Sequence, residues 1–240
     1  MPEPADPFVH HPELRPKIVL AEASAFRDMD LAMMDEKMRG IGAPADWRHP
    51  DAYREQSRMA TMQGRPDGDL WVFAYGSLMW DPAFHFDEVR TARLPGYQRR
   101  FCMKSVLGRG SPENPGLMAG LDHGDGCDGL VFRVPGDLID QETRIIWRRE
   151  MLLHAYAPAF LPVTTDAGGL AALAFVVDPT ADSYLPNLSV DETARYMATG
   201  VGVFGSSLDY LENLGEQLAA LGIVDAALNE LSDRTRRLAA

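Results

Sequence analysis

The 240-residue chain has only two cysteines, Cys102 and Cys127, and they lack the spacing of a CxxC pair. A disulfide framework needs several pairs, so the sequence predicts free thiols and a cytoplasmic, reducing compartment. Positive charge is also scarce, because 23 lysines and arginines face 35 aspartates and glutamates, a net charge of −12. Proteins that bind a nucleic-acid backbone need clustered cations, so nucleic acid is not expected as a partner.

Long hydrophobic runs are missing as well. The run over residues 171–177 is far shorter than the roughly 20 residues that a membrane-spanning helix needs. The first seven residues are acidic and rich in proline, which argues against a secretory signal. With 46% hydrophobic and 24% charged residues, the composition is that of an ordinary globular protein. The sequence predicts no membrane partner and leaves the oligomeric state open.

The first 69 residues differ in pattern from the rest of the chain. Apolar side chains recur there at helical spacing, namely Phe26, Met29, Met33, Met34 and Met38, with a weaker helical pattern at Tyr53, Met59 and Ala60. Residues 1–69 are therefore predicted to form an N-terminal helical extension to a domain over residues 70–240. The methionines favour packing on that domain over a partner-binding face, and no chemistry is assigned to the segment.

Beyond residue 69, short runs rich in β-branched and aromatic residues alternate with turns. Seven strands are predicted, over residues 70–75, 88–93, 97–104, 117–121, 129–134, 161–165 and 170–177. The connectors at 94–96, 124–126 and 166–169 have the length of hairpin turns, too short for parallel crossovers. The sheet is therefore expected to be mainly antiparallel and barrel-like.

Helices are predicted late in the chain, over residues 140–156, 189–199, 208–221 and 225–238. Ser189 and Glu192 form a capping box at the start of the second of these, and Gly200 ends it. Together with the predicted strands, these helices give an α+β fold class.

The helix predicted over residues 140–156 carries a carboxylate on its apolar face. Steps of three and four residues place Glu150 on one stripe with Ile139, Thr143, Ile146 and Leu153. Burial penalises the charged form of a carboxyl group, so the pKa of Glu150 should rise, as a general base near neutral pH requires. The alternative is a buried structural ion pair with Arg148, Arg149 or another arginine.

A second feature is an apolar strand that runs directly into a glycine and a serine. Gly76 permits a sharp turn, and successive backbone N–H groups beyond a strand can form a concave site for a carboxylate or an oxyanion. From these residues alone, an ordinary turn between strand and loop is the alternative.

These segments together resemble a known family. Residues 73–80 read Phe-Ala-Tyr-Gly-Ser-Leu-Met-Trp and resemble the strand and loop of ChaC-type glutathione-specific γ-glutamylcyclotransferases. Residues 147–151 read Trp-Arg-Arg-Glu-Met and resemble the family's helix with its catalytic glutamate. Further landmarks lie between these two segments at 99–101, 110–116 and 129–135, and beyond them at 205–211, so the resemblance covers residues 70–232. Leu117, where some members have arginine, and Ala74, in place of a common glycine, depart from the pattern.

The resemblance implies that the α-amine of glutathione attacks its own γ-carbonyl, releasing 5-oxoproline and cysteinylglycine. It implies Glu150 as the general base and a substrate site that includes Phe73, Tyr75, Gly76, Ser77, Leu78 and Tyr210. The implied reaction needs no metal, organic cofactor or covalent enzyme intermediate.

Two alternatives to this activity stay open, the same cyclisation on other γ-glutamyl amino acids or amines, and a catalytically silent binding or regulatory protein. Tyr156 and Tyr196 also compete with Tyr210 for the place beside the substrate. A cavity beside Gly76 into which Glu150 opens would favour the enzyme.

Other patterns indicate chemistry only weakly. Residues 200–205 fit GxGxxG, yet they follow a helix, whereas a dinucleotide-binding loop follows a strand. Ser77 lacks the GxSxG elbow of a serine hydrolase. Cys102 lies within a strand pattern and is interpreted as buried rather than nucleophilic. The six histidines lack metal-binding spacing, so no metal site is predicted.

Overall fold

The computed structural model describes residues 6–239 of the chain. The strands are β1 (Leu70–Ala74), β2 (Glu88–Leu94), β3 (Tyr97–Ser105), β4 (Gly116–His123), β5 (Cys127–Val134), β6 (Tyr156–Thr165), β7 (Gly168–Val177), β8 (Val201–Gly202) and β9 (Gly205–Ser206). The α-helices are α1 (Leu31–Gly40), α2 (Asp51–Met62), α3 (Ile139–Glu150), α4 (Val190–Thr199), α5 (Ser207–Ala220) and α6 (Ala226–Ala239). None of the helices within residues 6–239 combines the length and the apolar character of a membrane span.

Five strands close into a barrel in the order β1, β5, β2, β6 and β7. The neighbours pair antiparallel except β1 and β7, which pair in parallel with Val72 opposite Leu173. Both of these residues are fully buried, as are Leu130 and Phe132 on the neighbouring strand β5. The predicted α+β class with a mainly antiparallel, barrel-like sheet is confirmed.

β3 and β4 form a separate two-stranded sheet, which corrects two of the predicted turns. The connectors at 94–96 and 124–126 are not hairpins, because β2 pairs with β5 while β3 pairs with β4. They lie side by side instead, and the backbone N–H of Gly124 donates to the carbonyl of Gly96 at 3.1 Å. A connector of this length can join strands of two different sheets as readily as it can form a hairpin. Of the three predicted hairpin turns, the one at 166–169 does join two paired strands, β6 and β7.

The boundary between α3 and β6 also differs from the prediction. α3 ends at Glu150 and Tyr156 begins β6, so the predicted helix is too long and the predicted strand too short. Pro158 and Pro162 within β6 obscure the strand pattern, since proline removes a backbone donor. The strand tolerates them because it pairs fully only with β7 and meets β2 at a single position. The capping box of Ser189 and Glu192 is present as predicted.

The N-terminal segment packs into the same hydrophobic core as the barrel. Phe8, Leu14 and Ile18 are buried in the cluster that contains the barrel strands. The helical spacing does not extend through Phe26, because α1 begins only after Asp30, whose side chain accepts the first backbone N–H groups of the helix. The division of the chain at residue 69 stays a prediction.

Candidate active site

A cavity opens where the loop after β1 meets the end of α3. Six of the seven residues in the predicted site line it, namely Tyr75, Gly76, Ser77, Leu78, Glu150 and Tyr210. They come from three separate elements, the loop after β1, the end of α3 and the first turn of α5. Glu150 and the loop at Gly76 therefore share one cavity, the arrangement that the sequence names as favouring the enzyme.

Phe73 is the residue of the predicted site that lies elsewhere. It is fully buried in the core, and its ring stacks on that of Tyr75 with centroids 6.5 Å apart. Because β1 is almost entirely buried on both faces, the position of Phe73 in the motif does not bring it to the cavity. Direct contact with a substrate is not available to it in this structure.

Glu150 opens into the cavity although an arginine stands beside it. Its side chain is 14% exposed, and its Oε1 lies 3.2 Å from Nε of Arg149. Burial raises the pKa of the Glu150 carboxyl, and the Arg149 guanidinium opposes this without cancelling it. The arginine pair that the sequence analysis named as an alternative is thus present, but the carboxylate also lines the cavity.

Arg149 connects this carboxylate to the loop after β1. Its Nη2 donates to Oγ of Ser77 at 2.8 Å, and its guanidinium also donates to the backbone carbonyl of Asp81. These contacts fix the orientation of the arginine, because a planar guanidinium with several partners has few alternative positions. Glu150 and Ser77 are therefore held in one connected network.

Gly76 is required for space and not for a left-handed turn. Its φ is −131°, which other residues also adopt. A Cβ at this position would lie 2.6 Å from Oη of Tyr210. The close approach of Tyr210 is thus a reason for glycine at this position beyond the turn that the sequence predicts.

Two of the three candidate tyrosines line the cavity, Tyr210 and Tyr156, whereas Tyr196 packs against the core. Burial, followed by the charge of Glu150, raises the pKa of Tyr210 to about 12. Burial likewise raises the pKa of Tyr156 well above its ordinary value. Both phenols are therefore neutral near pH 7 and act as hydrogen-bond donors. The hydroxyl of Tyr156 donates to the carbonyl of Ala119 at 3.1 Å.

Arg109 is a cavity residue that the sequence analysis missed. Its guanidinium lies 5.5 Å from the ring centroid of Tyr210, and its Nη1 donates to the Ser206 carbonyl at 3.4 Å. Within residues 6–239 it forms no ion pair with a carboxylate, and burial lowers its pKa. It lies in an irregular loop between β3 and β4, where no periodic pattern points to a site.

Phe26, Met29 and Phe204 were also missed, and all three line the cavity. Phe204 belongs to the segment that fits GxGxxG, which forms the small β8–β9 hairpin. Its backbone N–H donates to the carbonyl of Gly108 at 2.8 Å, so the hairpin packs beside the cavity. Phe26 and Met29 belong to the N-terminal segment, where their helical spacing is equally typical of residues that pack on a domain and gives no signal of a cavity.

The remaining candidates lie outside the cavity. Cys102 and Cys127 are buried free thiols, and burial raises the pKa of Cys102 to about 12, which opposes a nucleophilic role. Across the part of the chain that the structure describes, no group of three or more histidine, cysteine, aspartate or glutamate side chains could hold a metal ion.

The family is decided by comparison with known proteins. The model of the family described as ChaC-like protein matches residues 70–238. This chain belongs to the ChaC-like family. The Escherichia coli (strain K12) glutathione-specific γ-glutamylcyclotransferase is 36% identical to this ChaC-like chain over 189 residues, 78% of the chain and 82% of the relative. Human glutathione-specific γ-glutamylcyclotransferase 1 is 33% identical over 66% of the chain and 75% of the relative.

A solved structure shares the fold of this ChaC-like chain. It is a yeast γ-glutamyl cyclotransferase specific to glutathione, with a TM-score of 0.64 and 22% identity. The match covers 72% of this chain and 100% of the yeast chain. The family resemblance carried by residues 73–80 and 147–151 is confirmed.

Proposed function

We propose that this ChaC-like protein is a glutathione-specific γ-glutamylcyclotransferase that releases 5-oxoproline and cysteinylglycine. The observation that carries the proposal is that Glu150 and the loop from Tyr75 to Leu78 line one cavity. The names of the Escherichia coli and human relatives support glutathione as the substrate.

The proposed chemistry moves two protons off the α-ammonium nitrogen, because that nitrogen becomes the single N–H of 5-oxoproline. The α-amine of glutathione is tethered to the γ-carbonyl that it attacks, so the protein has to fold the γ-glutamyl chain and supply a base. The Glu150 carboxylate accepts the first proton from the α-ammonium group, whose reference pKa is about 8, and passes it to the departing cysteinyl nitrogen. The second proton leaves the attacking nitrogen as the ring closes, and the same carboxylate passes it to the released amine, which departs as an ammonium group. The raised pKa of Glu150 makes the carboxylate a better match for that ammonium group.

The loop after β1 supplies hydrogen-bond donors for the negatively charged groups of the substrate. Ser77–Met79 form a short 3-10 turn, and the first backbone N–H groups of such a turn have no partner within it. We assign the N–H groups of Tyr75 to Leu78 to the α-carboxylate of the γ-glutamyl half or to the developing oxyanion. Tyr210 donates from its neutral hydroxyl and orients the same half of the substrate.

Arg109 favours a γ-glutamyl peptide over a γ-glutamylamine as the substrate. It is a partly buried cation in the cavity wall, and it forms no carboxylate pair within residues 6–239. The glycine of glutathione ends in a carboxylate, whereas γ-glutamylamines have none in their leaving half. Other γ-glutamyl amino acids share that carboxylate and are the second candidate substrates.

The cytoplasm is the proposed location. Both cysteines are free and buried, which is typical of proteins in a reducing compartment. The acidic composition supports the absence of a nucleic-acid partner, and the oligomeric state stays open.

Release of 5-oxoproline from glutathione, γ-Glu-Ala and a γ-glutamylamine tests the proposal, with Glu150→Gln measured in parallel. This variant keeps the shape of the side chain and removes the base. We expect release from glutathione and a loss in kcat of about 100-fold or more in the variant. Glu36→Gln, at an exposed position of α1, is the control and should match the parent.

Two results would contradict the proposal. A Glu150→Gln variant as active as the parent would remove Glu150 from its role as base. If no substrate yields 5-oxoproline, the silent binding or regulatory protein becomes the better description.

A further inference from the structure

The N-terminal segment contributes directly to the wall of the cavity. Phe26 and Met29 line it together with Glu150. Both residues lie outside residues 70–238, the part of the chain that the family model matches. Part of the substrate cavity is therefore built by residues that the family pattern does not include.

Polar contacts hold this segment in place on both sides of Phe26. On one side, Oγ of Ser24 donates to the carboxylate of Asp81 at 2.6 Å. On the other, Arg27 forms a two-pronged ion pair with Glu142 at 2.7 and 3.0 Å, and the Glu142 side chain is fully buried. The contacts of Ser24 and Arg27 thus hold the backbone on both sides of Phe26, and the Phe26 ring is not needed to keep the segment in place.

The ring of Phe26 lies between an aromatic ring and a guanidinium group. Its centroid is 5.5 Å from that of Phe204, and Cζ of Arg149 is 4.5 Å from it. Neither phenylalanine belongs to the buried hydrophobic clusters formed within residues 6–239, and both rings are half-buried. Paired aromatic rings that the core leaves uncovered offer an apolar surface that a ligand can cover.

The chemistry of the cavity assigns one half of the substrate to this surface. Glu150 and the loop at Gly76 are occupied by the γ-glutamyl half in the proposed reaction. The cysteine side chain of the leaving half then lies nearer the aromatic pair, and sulfur makes favourable contacts with aromatic rings. This step rests on the proposed function.

We propose that Phe26 is a substrate-contact residue that, with Phe204, binds the cysteinyl side chain of glutathione. A contact of this kind contributes to substrate affinity and not to proton transfer. Removing the ring should therefore change KM more than kcat.

The test compares kcat and KM for glutathione in the parent and in Phe26→Ala, Phe26→Leu and Phe204→Ala. We expect each alanine variant to raise KM about tenfold with kcat within threefold, since an apolar contact of ~1.4 kcal/mol is lost. Phe26→Leu keeps an apolar side chain but loses the aromatic ring, so its KM should lie between those of the parent and of Phe26→Ala. Met33→Ala is the control, because Met33 lies in the same segment with 66% exposure.

Several results would overturn the proposal. One is a rise in KM of less than threefold in both alanine variants. Another is a fall in kcat at unchanged KM that Phe26→Leu does not restore, since that pattern describes structural support alone. Thermal unfolding of each variant shows whether the protein is folded, and Phe204→Ala tests the same surface from a different element.

A binding measurement separates this proposal from the proposed function. Calorimetric titration of glutathione into Glu150→Gln, with and without Phe26→Ala, compares affinity in the absence of turnover. Binding weakened about tenfold by Phe26→Ala supports the contact. Equal affinity with and without Phe26→Ala, or no detectable binding of glutathione to Glu150→Gln itself, overturns it. Failure of the parent to release 5-oxoproline from glutathione counts against the activity and leaves this comparison valid.

Discussion

The Tyr210 hydroxyl lies so close to Gly76 that a side chain at position 76 would collide with it. A Cβ added at Gly76 would lie 2.6 Å from Oη of Tyr210, a distance that non-bonded carbon and oxygen atoms do not reach without displacement. The contact joins the loop after β1 to α5. The loop after β1 and the Tyr210 side chain are therefore packed directly against each other.

Gly76→Ala should lower kcat/KM for glutathione by at least tenfold, about 1.4 kcal/mol of transition-state stabilisation. The added methyl group displaces either the Tyr210 hydroxyl or the backbone donors of the loop. The measurement is 5-oxoproline release under substrate-limited conditions. Gly40→Ala is a matched control, because no atom lies within 4 Å of a Cβ added there, and it should stay within twofold of the parent. Equal activity of Gly76→Ala and the parent would show that the contact is not needed.

Arg109→Met should reduce the preference for glutathione over a γ-glutamylamine. The variant keeps an apolar stem and removes the charge that we propose pairs with the glycine carboxylate. Hydrogen bonds to charged groups contribute about 1.5–3 kcal/mol, so KM for glutathione should rise by about 10-fold to 100-fold. Turnover of the γ-glutamylamine should change much less. Arg93→Met, at an exposed arginine paired with Asp128 at 2.7 Å, is the control. The same loss with both substrates would contradict a carboxylate-binding role.

Glu150→Gln should stabilise the protein above neutral pH. Burial holds the pKa of Glu150 above its usual value, so the folded protein retains a proton that the unfolded chain releases. The stability associated with this group is therefore complete at low pH and is lost as the pH rises through the folded-state pKa. The neutral amide of the variant has no such loss.

Denaturant unfolding at several pH values measures this effect. Near pH 8 the variant should be more stable than the parent, whereas below the ordinary glutamate range, near pH 3, the two should be equally stable. A stability difference that does not depend on pH would argue against a charged, buried carboxylate in the parent.

The elements that carry the site were predictable because their signals are local. Three- and four-residue spacing placed Glu150 on the stripe of α3 that contains Ile146, and Ile146 is buried in the structure. The capping box at Ser189 likewise depends on residues only three positions apart. Pairing of strands was less predictable, since the connector at Gly96 suits a hairpin and a passage between sheets equally well.

Local sequence alone determined that a strand would run into the turn at Gly76 and that a helix would carry Glu150 on its apolar face. Short-range geometry and side-chain polarity are sufficient for both. Only the tertiary structure decided that Phe26 and Arg109 line the same cavity as Glu150. These residues come from the N-terminal segment and from an irregular loop, and they meet Glu150 because the barrel closes and the segments around it pack. Contacts between such distant parts of a chain depend on that global packing, which no local spacing encodes.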